Sequence, residues 1–136
     1  MLNRRHLRRG ANAIEFALIL PVLVGLMGSI VEYGWYFHRE VALDGLVQEA
    51  TRIAVTTPQS AHRTPQQVAE DEIVARLNAL GYQGQVDLSI QVNGQSPNEM
   101  LDVGVALPHE PLMGVRSYVP TKLVATSAMR LEDQPQ

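Results

Sequence analysis

Residues 16–31 read FALILPVLVGLMGSIV, sixteen residues without a charge, bracketed by Glu15 and Glu32. At 1.5 Å per helical residue this run alone is about 24 Å long, slightly short of a hydrocarbon core. Extended from Ala11 to Phe37 as one helix, it reaches about 40 Å and crosses the core and both interfaces. Tyr33, Trp35, Tyr36 and Phe37 then gather at one end, where amphipathic rings sit at headgroup level. Before the run, MLNRRHLRRG carries Arg4, Arg5, Arg8 and Arg9 and no acid. After it, only Arg39 and Arg52 follow closely, among Glu40, Asp44 and Glu49. This bias predicts a transmembrane helix over 11–37 with a cytoplasmic N-terminus and His38–Gln136 outside. A buried helix of a soluble protein is the competing reading of such a run. The arginine cluster and the aromatic end favour the span.

Within the run, Pro21 removes the hydrogen bond to Ala17 and is expected to kink or loosen the helix. Gly25, Gly28 and Ser29 offer small side chains against which a neighbouring helix could pack. Glycine is also common in membrane helices without any partner.

A basic leader, residues 1–10, ends in Gly10, and Glu15 with Phe16 follows five residues later. An ionisable side chain at the head of a span is costly and by default marks function. An interfacial glutamate welcomed by the positive end of the helix dipole is the plainer account. The combination of leader, Gly10 and Glu15 resembles the prepilin leader of type IV pilin-like proteins. The wider stretch resembles TadE-like pseudopilins of the tight-adherence (Flp, type IVc) pilus machinery. The residues that carry this are the basic residues before Gly10, Ile14-Glu15-Phe16-Ala17-Leu18, Leu20-Pro21-Val22 and Val31-Glu32-Tyr33-Gly34. The resemblance covers residues 4 to about 55; further on it rests on element order and the closing TSAMRLE.

That resemblance implies that a membrane aspartyl peptidase cuts after Gly10. Ala11 would become the new N-terminus, with Glu15 as the fifth mature residue used in assembly. A carboxylate one helical turn from the new ammonium can pair with it or with a neighbour's. Such a pair is worth more in low dielectric than at a surface. The chain is longer than a major Flp pilin, which implies a minor component. The implied partners are other pilins and pseudopilins, the prepilin peptidase, an inner-membrane assembly platform and the lipid bilayer. NRRHLRR also loosely matches a twin-arginine signal, but no small-x-small cleavage site follows the apolar run persuasively.

The exported part is predicted to start with an amphipathic continuation of the helix over 38–57. Leu43, Leu46, Val47, Ala50, Ile53 and Ala54 recur there at three-to-four spacing. A head over 58–136 follows. Thr56–Arg63 is a polar break around Pro58. Thr64, Pro65 and Gln67 then read as N-cap, N1 and N3 of a second helix. Val68, Ile73, Val74, Leu77 and Leu80 are its expected apolar face, and Gly81 its end. Glu70, Asp71 and Glu72 are read as a solvated face that suits the helix dipole. The period then switches to two: Val86 to Val92, an Asn93-Gly94 turn, Leu101 to Leu107, a Pro-rich break over 108–120, and Leu123 to Leu131. The expected fold class is α+β, a long N-terminal pilin-like helix, a second helix and a three-stranded antiparallel sheet. The tail 132–136 is expected to fray.

The 136 residues are 46% apolar and 18% charged with a net charge of −3. That composition is neither a disordered tail nor a nucleic-acid arm, so no nucleic-acid partner is expected. The chain has no cysteine, which excludes disulfides, thiol nucleophiles and cysteine zinc sites. His6, His38, His62 and His109 lack metal-ligand spacing, and no phosphate loop, GxSxG or HExxH is present. No catalytic residue, metal or cofactor is expected. His109-Glu110, between prolines, reads as surface polarity. The alternative to a pseudopilin is an uncleaved single-pass anchor presenting an extracytoplasmic binding or sensing module. A secreted hydrolase lacks any catalytic pattern to support it.

Overall fold

The computed structural model describes residues 4–57, 63–82, 84–95, 98–113 and 119–131, with side chains from residue 12 onward. The polar break at 58–62, the centre of the Pro-rich stretch at 114–118 and the tail 132–136 lie outside the described residues. One helix, α1 (Arg4–Thr56), carries both the apolar run and the amphipathic continuation. Its 53 residues make it about 80 Å long. There is no break at Phe37/His38, and the helix continues through Pro21.

A second helix, α2 (Pro65–Ala79), follows, and then strands β1 (Asp87–Asn93), β2 (Met100–Pro108) and β3 (Lys122–Arg130). The strands form an antiparallel meander in the order β1-β2-β3. Ile90 faces Val103, Val103 faces Ser127, and Leu107 faces Leu123. The fold is α+β, as the switch from helical to two-residue periodicity predicts.

Both ends of α2 are set by the sequence. Thr64 and Gln67 form a reciprocal capping box, with Pro65 opening the helix. At the other end the Gly81 N–H donates to the Asn78 carbonyl and the Tyr82 N–H to the Leu77 carbonyl. This Schellman closure needs the left-handed backbone that Gly81 adopts at φ +78.

The core lies between the helices and one sheet face. The lower part of α1 lies over β3 and α2, and α2 also covers β1. Leu43, Leu46, Val47, Ala50 and Ala54 from α1 meet Ala69, Ile73 and Leu77 from α2. Leu101, Val103, Val105, Leu107, Leu123 and Ala125 close the core from the sheet. Thr51 is fully buried among them because its Oγ1 donates to the Val47 carbonyl at 2.7 Å, which satisfies the hydroxyl within its own helix.

Two expectations about α2 are corrected. Val74 and Leu80 are exposed (40% and 65%), and Ala69 takes the inner place. The buried row is Ala69-Ile73-Leu77, spaced by four, and Val74 lies about 100° round from Ile73. The acidic triplet does not serve the dipole, since no acid falls in the first turn and the effect fades beyond it. Instead Asp71 pairs with Arg63 at 3.5 Å. Glu72 accepts from Arg76 Nε at 2.6 Å, and Arg76 also reaches Glu49 of α1 at 2.9 Å. That pairing holds the Glu49 carboxyl below its ordinary value and raises the Arg76 guanidinium above its own.

Candidate functional site

The residues that the sequence nominates sit on the upper half of α1. Gly10 and Ala11 fall within its helical stretch, and their surroundings lie outside the described side chains. Glu15 stands four residues after Ala11, about 6 Å along the axis and on the same face. Glu15, Phe16 and every residue from Asn12 to Met27 are exposed, so the rest of the chain buries none of the apolar run up to that point. By length and composition the helix from Asn12 onward is able to cross a membrane.

The small residues divide. Nothing lies within 4 Å of where a Cβ of Gly25 would stand, and Ser29 Oγ donates to the Gly25 carbonyl at 2.9 Å. At Gly28 a Cβ would stand 3.7 Å from Met113 Sδ, so this glycine faces the chain's own β2–β3 loop.

One turn below Gly28 lies the residue that joins the two halves. Glu32 is 3% exposed although it carries a carboxyl. Its Oε1 accepts from the Leu112 N–H at 2.7 Å and its Oε2 from the Met113 N–H at 2.8 Å. Two short bonds, one to each oxygen, compensate the burial of the group. Sequence reasoning treated Glu32 as the end of the uncharged run and as part of the Val31-Glu32-Tyr33-Gly34 motif, and gave it no contact. A signal was present: Glu32, Tyr36, Leu43, Val47, Ala50 and Ala54 continue one helical face, so the packed stripe extends upward from Leu43 into the aromatic belt.

Tyr36 is buried on that face, and its ring meets His109 edge-on with centroids 5.2 Å apart. The reading of His109 as surface polarity is therefore corrected, while Glu110 is exposed as expected. His109 is buried because its N–H continues the β2–β3 ladder to the Thr121 carbonyl at 2.9 Å, which turns the ring under α1. Neither ring nitrogen has a partner among the described residues. Burial, with the neighbouring Arg39 charge, pushes the imidazole below its ordinary value, and Glu32 partly opposes the shift. Arg39 lies over the rings of Trp35 (5.6 Å) and Tyr82 (4.8 Å), tying α1 to the segment after α2.

Residues 10–52 match the family described as TadE-like protein. Over this segment the chain is similar to TadE-like proteins. The TadE-like segment includes Glu15, Pro21, Glu32, Tyr36 and Arg39, and it ends before α2 and the sheet. No curated protein matches the chain, and no solved structure does. Among the described residues no three metal-ligating side chains come together. The segment that matches the family carries an exposed apolar helix with one carboxylate near its top, and a buried carboxylate at the point where the head begins.

Proposed function

We propose that the chain is a minor pseudopilin, a membrane-anchored structural component that supports assembly of a tight-adherence (Flp, type IVc) pilus. The observation that carries this reading is the division of α1. Its lower half is packed on the head, while its upper part, within the TadE-like segment, is apolar, exposed from Asn12 to Met27 and headed by Glu15. An apolar helix that its own chain leaves uncovered needs lipid or other helices around it. The arginines at the start orient it with the N-terminus in the cytoplasm and the head outside.

A prepilin peptidase cuts between Gly10 and Ala11. The new ammonium at Ala11 then pairs with a Glu15 carboxylate, in the same chain or in a neighbour. An unpaired carboxylate there is penalised, so the pair favours insertion beside other pilins and pseudopilins on the inner-membrane platform. Phe16 and the surface around Pro21, Gly25 and Ser29 supply the helix-to-helix contact.

The test is the N-terminal residue and intact mass of the membrane-extracted protein, with and without the cognate peptidase. A peptidase-dependent start at Ala11 is expected. A start upstream of Gly10 in both strains would leave an uncleaved anchor presenting the head, and a start beyond Phe37 would discard the filament reading altogether.

A further inference from the structure

We propose that Leu112 and Met113, in the segment that follows β2, form a second membrane-contact element. Leu112 and Met113 enter the lipid beside the end of the α1 span, and Glu32 holds them there. The proposal rests on the reading of α1 as a membrane span.

Three observations carry it. First, the segment after β2 presents two consecutive large apolar side chains, Leu112 and Met113, that are 57% and 59% exposed. In water such an exposed pair has nothing to gain; against acyl chains it is at home. Second, their depth is fixed by contact with the helix. Met113 Sδ lies against Gly28, which stands four residues inside the uncharged run from Glu32, about 6 Å further along the axis. The side chain is thus level with residues of the span itself. Third, the backbone at Leu112 and Met113 is prepared for a dry setting. A loop at the hydrocarbon boundary must satisfy its N–H groups without water. The N–H groups of Leu112 and Met113 do so on the two oxygens of Glu32. The same bonds occupy both oxygens of the Glu32 carboxyl.

Between helix and loop runs a cavity of about 350 Å³, lined by Val24, Gly25, Gly28, Ser29, Met113 and Val119 among others. Its helix wall runs from Val24 to Ser29 of the uncharged run and ends on Glu32 and Tyr33, so its upper part is continuous with the surface that lipid covers. Until a neighbouring helix docks on the Gly25 and Ser29 surface, the occupant we assign is an acyl chain of the surrounding bilayer. Glu110, exposed just before Pro111, marks the side of the loop that stays in water.

The chain has no cysteine, so single cysteines can report position in the full-length protein. Met113→Cys, Val24→Cys and Val124→Cys are labelled with an environment-sensitive fluorophore and reconstituted into phosphatidylcholine–phosphatidylglycerol vesicles containing brominated acyl chains. Val124 is exposed on the outer sheet face and serves as the aqueous reference. Val24 reports the span. The expected result is quenching at Met113 comparable to that at Val24, with little at Val124. Strong quenching at Val24 with none at Met113 would overturn the wedge while leaving the span intact. No quenching at Val24 would overturn both readings. A Met113 label shielded from brominated lipid and also from aqueous iodide would mean that a second protein chain fills the groove, which also overturns the lipid assignment. Adding Glu32→Ala to the Met113→Cys variant is expected to lose the lipid quenching and gain iodide quenching. Glu32→Gln, which keeps one acceptor oxygen, is expected to lose only part of it. An unchanged Met113 signal in both would overturn the role given to Glu32.

Discussion

Glu32 and Met113 are 81 positions apart in sequence and joined by a 2.8 Å hydrogen bond from the Met113 N–H to Glu32 Oε2. With its companion to Leu112 at 2.7 Å, this bond connects the helix that leaves the apolar run to the loop that closes the sheet. The contact is polar and part-buried, closed by a carboxylate that is itself buried.

Glu32→Ala therefore leaves two loop N–H groups without acceptors. The expected cost is about 1–3 kcal/mol of stability, the usual penalty for orphaned buried polar groups. Chemical denaturation of the full chain in detergent checks it, and Glu32→Gln should fall between the variant and the wild type.

His109 gives the fold a pH dependence of defined sign. Its imidazole titrates lower in the folded protein than its ordinary value of about 6.5. Between the two values the unfolded chain holds a proton that the folded chain does not. The His109 contribution is fully present above the ordinary value and is lost as pH falls through that window toward the folded value. Tyr36, Arg39 and Glu32 are the groups that face it. In His109→Phe, which keeps an aromatic edge against Tyr36, unfolding midpoints measured across this range should lose that slope.

Thr64→Ala removes the acceptor of the capping box and should cost about 1 kcal/mol. Ile73→Ala opens a fully buried site between α2 and the sheet and should cost about 2–5 kcal/mol. Equilibrium unfolding of both variants ranks them. Equal effects would contradict the placement of Ile73 in the core.

Glu15 is exposed and belongs to no contact within the head. Glu15→Val should leave the unfolding of the head unchanged within about 0.5 kcal/mol. Breaking a buried pair costs about 3–5 kcal/mol, so pilus assembly should fall by at least about a hundredfold. Glu15→Asp should retain a measurable part of it. Normal pili from both variants would refute the assembly role.

Much of this was legible in the sequence because it is local. The three strands, the Thr64 cap, the Gly81 closure and the α1 stripe from Leu43 to Ala54 each follow from residues within a few positions of one another. The Glu32 junction was not legible in the same way. Its partners are backbone N–H groups in a Pro-rich loop without periodicity, and no side-chain type at positions 112 or 113 signals them. His109 was misread for the same reason, since only the β2–β3 pairing reveals that its ring turns under Tyr36. Val74 and Leu80 were misplaced because an apolar residue is a poor guide to facing when a smaller one, Ala69, one turn before Ile73, takes the place on the true inner row.

Because α1 is unbroken from Arg4 to Thr56, the azimuth of the head is geared to that of Glu15. Each residue between Glu15 and Glu32 sets about 100° of that angle and 1.5 Å of height. Inserting one residue in the run would leave both ends chemically intact yet turn the head by more than a quarter revolution against its neighbours. Inserting seven would return it to within about 20° of its original bearing, raised by two turns. The number of apolar residues is thus a calibration of direction as well as of thickness.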